Sequence, residues 1–512
     1  MPQYRTPGVY INEVSSLPAT ISCLPSHIPV FIGYTQSCGS AAGSLLNQPT
    51  RVISLLEFED YFGGDALHKF AITELKRARV SDVSHGGKTY SLQQNTPNYL
   101  LYRSISWYFY NGGGACYIVS VGTYDKPINT TALLAGLAAV ANEDEPSLVV
   151  IPDVVALDTL AECSLVQQAV VSLCAQNKIK RFAILDIYQG FNARNQSGQS
   201  DCIEGFRNSI VGRHLSYAAA YYPWLNSLIV SNKQLSFANI ANIDSLKMFL
   251  TIELDQLYPR LNRQTLAKHK QIKALISDIK NVQSTSLSQE QQAACQQLNS
   301  SLQACSPLYT QIMQSIMQKL NRLPPSAAIC GAYGQNDIDS GVWKAPANIA
   351  LLAVSSPCVD INNSEQQDLN VTSSGKSVNA LRTFSGKGTL IWGARTLAGN
   401  DNEWRYVNIR RSALMIEQSI TSGMEAMVFE PNEHNLWVKI KVMCDNFLQQ
   451  LWREGALAGT KPEHAYFVKV GLGQTMTEVD VREGRLIVQI GIAMTKPAEF
   501  IVVTIKQNMS PA

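Results

Sequence analysis

The sequence has few charged residues and almost no excess of either sign. Charged residues make up 16% of the 512 residues, and the formal net charge is +2. A charged fraction near a quarter is usual for globular proteins. A low value is typical of a chain that hides much of its surface against neighbours, although a large monomer with an ordinary surface stays open. The near-neutral balance gives no support to a nucleic-acid or membrane-surface binder.

Long apolar runs are also missing. A membrane-spanning helix needs about 18 apolar residues, and the apolar stretch 148–157 is interrupted by Pro152 and Asp153. The first ten residues carry Pro2 and Pro7 and lack the apolar core of a secretory signal. We therefore expect no membrane contact and no Sec-type export of this chain.

Cysteine pairs and histidine pairs with metal-ligand spacing are absent. The eleven cysteines are an odd number and form no Cys-x-x-Cys pair, and the seven histidines form no His-x-x-x-His pair. Reduced, mostly buried thiols of a protein made in a cytoplasm are the simplest interpretation. We expect no bound metal.

Motifs for catalysis and cofactor binding are incomplete. Two triplets, Gly87-Lys88-Thr89 and Gly375-Lys376-Ser377, resemble the end of a P-loop, but Asp82 and Asn370 stand where its first glycine is required. The pattern that begins at Gly471 has Met476 in place of the third glycine of a dinucleotide motif. Turn glycines explain both patterns better, so we predict no catalytic residues and no cofactor.

A pair of nearby carboxylates, Asp337 and Asp339, is a weaker candidate site. Side chains two residues apart on a loop could chelate a divalent ion. A glycine-flanked, solvated turn is the favoured interpretation because Gly341 follows closely.

The pattern up to about residue 250 is α/β. Apolar runs at 116–121, 147–152 and 182–186 are separated by helical stretches such as 159–177. Buried strands that alternate with helices favour an at least partly parallel sheet covered on both faces. Residues 31–250 are therefore predicted to form one α/β domain, to which residues 323–355 return.

Residues 251–322 have a different pattern, rich in Gln, Lys, Ser and Leu. Apolar residues recur at three- and four-residue steps on both sides of a polar stretch near 284–288. This periodicity predicts a helical hairpin inserted into the α/β domain and facing outward.

The last third reads as α+β, over 356–495. A helix is predicted from Asn432 as its N-cap to Gly455 at its end, with one apolar face. The face consists of Leu436, Ile440, Met443, Phe447 and Leu451. A meander of strands at 465–470, 477–482 and 485–492 is predicted to follow.

Both ends of the sequence are β-prone runs next to proline. The N-terminal run is Val9-Tyr10-Ile11-Asn12-Glu13-Val14 and the C-terminal one is Phe500-Ile501-Val502-Val503-Thr504-Ile505. Gly8, Pro18 and Pro497 are predicted to set the geometry of the linkers. A strand at a loose terminus must join a sheet to satisfy its backbone groups. Pairing within the same molecule and β-augmentation of a neighbour both remain open.

Short blocks along nearly the whole chain resemble the sheath proteins of contractile phage tails. The resemblance is carried by blocks near both ends and in the middle, in the family's order. They include Tyr4-Arg5-Thr6-Pro7-Gly8-Val9-Tyr10, Phe31-Ile32-Gly33, Tyr221-Tyr222-Pro223-Trp224, Gly341-Val342-Trp343-Lys344-Ala345-Pro346, Trp392-Gly393-Ala394-Arg395, Phe429-Glu430-Pro431-Asn432 and Lys496-Pro497-Ala498-Glu499-Phe500. The helical segment at 251–322 departs from compact members of that family.

The resemblance implies a fold and an assembly. It implies an α/β plus α+β multidomain tail-sheath fold, in which both termini and residues 356–495 form an inner domain and 31–250 an outer one. Residues 1–30 and 496–512 would be arms that pair with sheets of neighbouring copies. Arg395 and Arg411 are expected to pair with Glu430 or Glu403 inside the inner domain.

The resemblance also implies partners. Such subunits stack as hexameric rings into a helical sleeve around an inner tube protein, between a baseplate and a tail-terminator or cap protein. The particle would be a phage tail or a released tail-like particle. The alternatives are the large sheath protein of a type VI secretion system, which needs a second sheath chain, and an oligomeric α/β enzyme.

Overall fold

The computed structural model describes residues 21–40, 43–75, 81–176, 180–194, 200–259, 263–280 and 289–500. The chain divides into two compact units. The larger comprises residues 25–411, and the smaller comprises 1–24 with 412–512.

Strands occur in both units. Among the described residues they are β1 (Pro29–Thr35), β2 (Gly39–Ser40), β3 (Gly43–Ser44), β4 (Thr50–Val52), β5 (Phe70–Leu75), β6 (Val83–His85), β7 (Lys88–Gln94), β8 (Cys116–Thr123), β9 (Leu148–Val150), β10 (Phe182–Asp186), β11 (Ala218–Tyr222), β12 (Leu225–Ser227), β13 (Arg322–Leu323), β14 (Ile349–Ala350), β15 (Val354–Pro357), β16 (Asn379–Phe384), β17 (Gly388–Ile391), β18 (Tyr466–Lys469) and β19 (Gln489–Ile492).

Helices connect most of these strands. In the same part of the chain they are α1 (Leu55–Phe62), α2 (Leu101–Tyr110), α3 (Thr130–Ala139), α4 (Leu160–Gln176), α5 (Cys202–Ser209), α6 (Ile243–Leu257), α7 (Arg263–Ser277), α8 (Gln289–Cys305), α9 (Pro307–Leu320), α10 (Ser326–Ser340), α11 (Asn363–Asn370), α12 (Val407–Glu425), α13 (His434–Arg453), α14 (Pro462–Ala465) and α15 (Glu478–Arg482).

The larger unit is built on a nine-stranded sheet with the order β14-β17-β16-β11-β10-β9-β1-β8-β4. The six strands from β16 to β8 are parallel, and antiparallel strands lie at both edges. Every residue of β1 is buried, so both faces of the sheet are covered, as near-continuous apolar strands predict. The predicted parallel α/β arrangement and its strands at β8, β9 and β10 are confirmed.

Gly33 in β1 is required by a close approach. A Cβ at this position would lie 2.5 Å from Oδ2 of Asp153. The buried Asp153 carboxylate accepts hydrogen bonds from the backbone N–H groups of Tyr34, Leu100 and Leu101, at 2.7, 2.6 and 3.2 Å. One carboxylate thus links β1 to the start of α2, and any side chain at residue 33 would displace it.

Residues 251–322, predicted as a helical hairpin, contain the end of α6 and the helices α7, α8 and α9. The apolar faces of α6 to α9 share one core with the β5–β7–β6 sheet. This core includes Phe70, Leu92, Phe249 and Ile312. The prediction of a two-helix hairpin was wrong because the spacing of apolar residues marks which face of a helix is buried but does not show what covers it. The expected polar turn at 284–288 lies outside the described residues.

The smaller unit contains the end of α12 and the elements from α13 to β19. The predicted apolar face of α13 is confirmed, since Leu436, Ile440, Met443, Phe447 and Leu451 are all buried. Gly455 ends it with φ +86°. The N-cap is Glu433 instead of Asn432. The side chain of Asn432 accepts a hydrogen bond from Nε1 of Trp437 at 2.7 Å.

The predicted meander is only partly correct. β18 and β19 form an antiparallel pair, but the strand expected at 477–482 is the helix α15. Thr477 and Asp480 form a capping box that starts this helix, and that local pattern outweighs the alternation of polar and apolar residues. Gly484, at φ +73°, makes the turn that follows.

Strands within the predicted inner domain also occur in the larger unit. Residues 356–495 were assigned to one domain from the sequence. In the structure β16 pairs with β11 in the nine-stranded sheet, and residues up to 411 belong to the larger unit.

Candidate assembly surfaces

The sheet of the smaller unit is a ribbon of two strands. β18 and β19 pair from Tyr466 opposite Ile492 to Lys469 opposite Gln489. Within the described residues no third strand joins them. Each strand of such a ribbon has an outer edge, where every second N–H and C=O points away from its partner and can pair with another chain.

The two faces of this ribbon differ. On one face Val468 is buried, and the Tyr466 hydroxyl donates to the carbonyl of Asp445 on α13 at 3.2 Å. On the other, the half-exposed ring of Phe467 lies across Gly491, where a Cβ would come within 2.2 Å of the ring. Packing on α13 therefore stabilises a ribbon that would be marginal alone.

The root of the N-terminal segment lies in the smaller unit. The buried side chain of Ile21 packs on Gly423 of α12, where a Cβ would be 2.7 Å from its Cγ1. The backbone N–H of Leu24 donates to Oγ of Ser419 at 2.9 Å. Residues 21–24 are thus attached to the second half of α12.

The root of the C-terminal segment lies in the same unit. An isolated bridge joins Met494 to Leu457, and the Thr495 hydroxyl donates to the carbonyls of Gly455 and Ala456, both at 3.1 Å. Residues 495–500 have no helix or strand. Pro497 is half-buried, and Phe500 is 71% exposed.

Most of the predicted arm residues lie outside the described part of the chain. These are Gly8, Val9, Tyr10, Ile11, Asn12, Glu13, Val14 and Pro18 at one end, and Ile501, Val502, Val503, Thr504 and Ile505 at the other. Their assignment as intersubunit arms stays a prediction.

The expected partner of Arg411 was wrong. Its guanidinium forms a buried ion pair with Asp337, with Nη1 3.0 Å from Oδ1, and Glu430 pairs with Lys439 at 2.9 Å. The sequence predicts a solvated turn at Asp337, whereas this residue lies on α10. Nη1 of Arg395 donates to the carbonyl of Asn370 at 3.1 Å.

A signal for the burial of Asp337 was present in the sequence. Ser326, Cys330, Tyr333 and Asp337 recur at three- and four-residue steps, which places them on one face of α10. The first three are fully buried. A carboxylate that continues an apolar stripe needs a cation partner, and this pattern could have predicted one.

The two triplets that resemble the end of a P-loop lie in turns. Gly86 and Gly87 have positive φ in the turn between β6 and β7, and Gly375 has φ +74° in another turn. In the part of the chain that the structure describes, no group of three His, Cys, Asp or Glu side chains could hold a metal ion. Nor is any described helix long and apolar enough to cross a membrane.

Comparisons with known proteins agree with this arrangement. Residues 399–508 match the family model of the phage tail sheath C-terminal domain. The contracted helical sheath of the anti-feeding prophage is 26% identical over 99% of this chain and 100% of that chain, with a TM-score of 0.59. These matches support a contractile tail sheath family for the chain.

Two further solved structures extend this family match. The contracted sheath complex of the extracellular contractile injection system PVC is 25% identical, covers 99% of both chains and has a TM-score of 0.59. A chain of the six-fold symmetrised anti-feeding prophage baseplate is 25% identical over 99% of this chain and 100% of that one, with a TM-score of 0.58. No curated protein sequence matches the chain.

Proposed function

We propose that this sheath-family protein is the structural subunit of a contractile tail or injection apparatus. Copies would form hexameric rings that stack into a helical sleeve around an inner tube protein, bounded by a baseplate and a terminator or cap protein. The subunit would be made in the bacterial cytoplasm and work in a phage tail or a released tail-like particle. No cofactor or catalytic residue is needed.

One observation carries this proposal. The roots of both terminal segments and the two-stranded ribbon lie in the same compact unit. The unit therefore combines two strand edges that no other strand of the described residues covers with two β-prone tails, residues 9–14 and 500–505. Strand exchange would pair the tails of one copy with the strand edges of another copy.

Such an exchange would generate a polymer. A tail of one copy and a ribbon edge of another are different surfaces, so the contact is heterologous and can propagate without closing. Main-chain ladders at the ends of proline-containing linkers would keep copies attached while the larger units rotate. Contraction would release free energy stored at assembly, so no nucleotide is needed.

Deletion of residues 1–16 tests this proposal. The truncated subunit should stay folded and soluble but build no sleeves in electron micrographs, because a strand donor is missing. Ile11→Pro should have the same effect, since proline removes a ladder hydrogen bond, whereas Ile11→Val keeps the β-propensity and serves as the matched control. Normal sleeves from the truncated subunit would rule out the arm model.

Two rival functions predict different results. A type VI secretion sheath would polymerise only when a second sheath chain is co-expressed, whereas we expect sleeves with this sheath chain alone. An α/β enzyme would show an activity that a point change in the larger unit abolishes. The family match favours neither the enzyme nor a second sheath chain.

A further inference from the structure

The chain passes between the two units twice, and both passages begin beside one buried carboxylate. One passage is after Leu24 and the other after Arg411. Within the larger unit, the Ser26 hydroxyl donates to Oδ2 of Asp337 at 2.7 Å. Arg411 binds the same carboxylate through both of its terminal nitrogens.

The two passages are also bonded to each other. Nη2 of Arg411 donates to the backbone carbonyl of Ser26 at 2.9 Å. Asp337, Arg411 and Ser26 thus form a closed set of contacts, which we call the root clamp. Within the larger unit it joins Ser26 and the start of α12 to α10.

The root clamp is shielded from water. The side chains of Asp337 and Arg411 are each 2% exposed, and the guanidinium lies over the ring of Tyr333, 4.6 Å from its centroid. Burial alone would lower the pKa of Arg411, but the charge of Asp337 and its hydrogen bonds outweigh this effect, so the pKa is raised. A charged, bidentate pair of this kind is geometrically specific and salt-insensitive.

The position of the clamp along the chain has a mechanical consequence. Pro29 begins β1, which lies between β8 and β9 inside the nine-stranded sheet. Only His27 and Ile28 separate β1 from Ser26. A pull transmitted past residue 24 would peel β1 from one end unless a contact closer to β1 takes the load, and within the larger unit Ser26 makes such a contact.

We propose that Asp337 is a positioning residue that fixes the chain at Ser26, where the N-terminal segment enters the larger unit, and transfers load from it to α10. This inference rests on the proposed function, because the load is the pull of a neighbouring copy on the tail. Asp337 acts through Ser26 and Arg411, and its side chain is 2% exposed.

The cleanest test changes Ser26, because it leaves the ion pair intact. Ser26→Ala removes the hydroxyl, while Ser26→Thr keeps it and is the matched control. The reporter is amide hydrogen exchange at Ile28, whose N–H donates to Oγ of Ser147 at 3.1 Å; Pro25 and Pro29 have no amide hydrogen. Loss of a hydrogen bond to a charged group should speed local exchange there about tenfold in Ser26→Ala, and Ser26→Thr should match the wild type.

A second variant removes the ion pair without leaving a buried charge alone. In Asp337→Leu with Arg411→Met, apolar side chains replace both partners, which usually keeps the fold. Asp368→Asn is its control, since it weakens the more exposed ion pairs with Arg194 and Arg207. The double variant should exchange faster at Ile28 and give shorter sleeves after a fixed shear, while Asp368→Asn behaves as wild type.

The outcomes separate this proposal from the function on which it rests. Unchanged exchange at Ile28 in both Ser26→Ala and the double variant overturns the root clamp. Wild-type sleeve lengths after shear in both variants overturn its load-bearing role. Absence of sleeves from the wild-type protein refutes the proposed function, while the exchange measurement still decides the clamp.

Discussion

At the scale of single residues, the carboxylate of Asp186 gives the larger unit a defined response to pH. It lies buried at the end of β10 and accepts hydrogen bonds from the backbone N–H of Ser326, at 3.0 Å, and from its hydroxyl. Burial raises the pKa of Asp186 to about 7, and the Ser326 hydrogen bonds offset only part of this. The folded protein therefore holds a proton that the unfolded chain loses near pH 4.

We predict that the contribution of Asp186 to the free energy of unfolding decreases as the pH rises from about 4 to 7 and levels off above. Between these values this group binds more protons in the folded state than in the unfolded state, so its contribution is largest at the acidic end of the window. Asp186 can account for at most about 4 kcal/mol of this change. Urea unfolding of wild type and Asp186→Asn at pH 5, 6, 7 and 8 measures it, and the variant should show the smaller dependence. Parallel curves would contradict the assignment.

Phe429 combines two unfavourable features. Its side chain is 101% exposed and its φ is +72°, a region that costs a non-glycine residue about 1–2 kcal/mol. We predict that Phe429→Asn raises the free energy of unfolding of the isolated subunit by up to about 1 kcal/mol, because asparagine tolerates this conformation. Phe429→Val should lower it, and equal urea midpoints for the two variants would show that the backbone is unstrained.

At the scale of elements, the four helices α6 to α9 cannot be regarded as a separate insertion. Ile312 on α9 is fully buried in the core shared with β5 and β7. We predict that Ile312→Ala destabilises the protein by about 2–5 kcal/mol and also speeds amide exchange in β5 and β7. Leu266→Ala, at a 36% exposed position on α7, is the control and should change stability by about 0.5 kcal/mol or less. Unchanged exchange in the strands would mean that the helices fold apart from them.

The sequence predicted elements with strong periodicity and missed those decided by local caps. The face of α13 and the strand β10 follow from apolar spacing alone. The helix α15 was predicted as a strand, because five residues with alternating polarity fit both structures until the cap at Thr477 is considered. The shared core of α6 to α9 needs contacts over 150 residues in sequence, which no local pattern encodes.

At the scale of the whole molecule, the cysteines show how far side chains of the subunit are shielded from solvent. All eleven are free, five are buried, and Cys23 is exposed. Burial raises the pKa of Cys174 to about 12 and that of Cys444 to about 11, which suppresses the reactive thiolate. We predict that at least five thiols resist a thiol reagent until urea is added, and that reductant leaves the melting temperature unchanged. Rapid reaction of all eleven in the native protein would contradict this.

The candidate assembly surfaces were only partly predictable. The β-prone tails are visible in the sequence because their runs of Val, Ile and Tyr are bounded by proline and glycine. The two strands of the ribbon were predicted as the outer strands of a three-stranded meander, whose middle strand is the helix α15. The root clamp was not, because Ser26, Asp337 and Arg411 are brought together only by the fold. The spacing of apolar residues on α10 indicates that Asp337 is buried, but it does not show which cation pairs with it.

The central claim is that the tails of each copy complete the β18–β19 ribbon of adjacent copies. A cryo-electron microscopy map of assembled sleeves tests it most directly. It should show strands formed by residues 9–14 and 500–505 paired with the edges of ribbons from other subunits. Sleeves in which both tails pair only within their own chain would contradict the account.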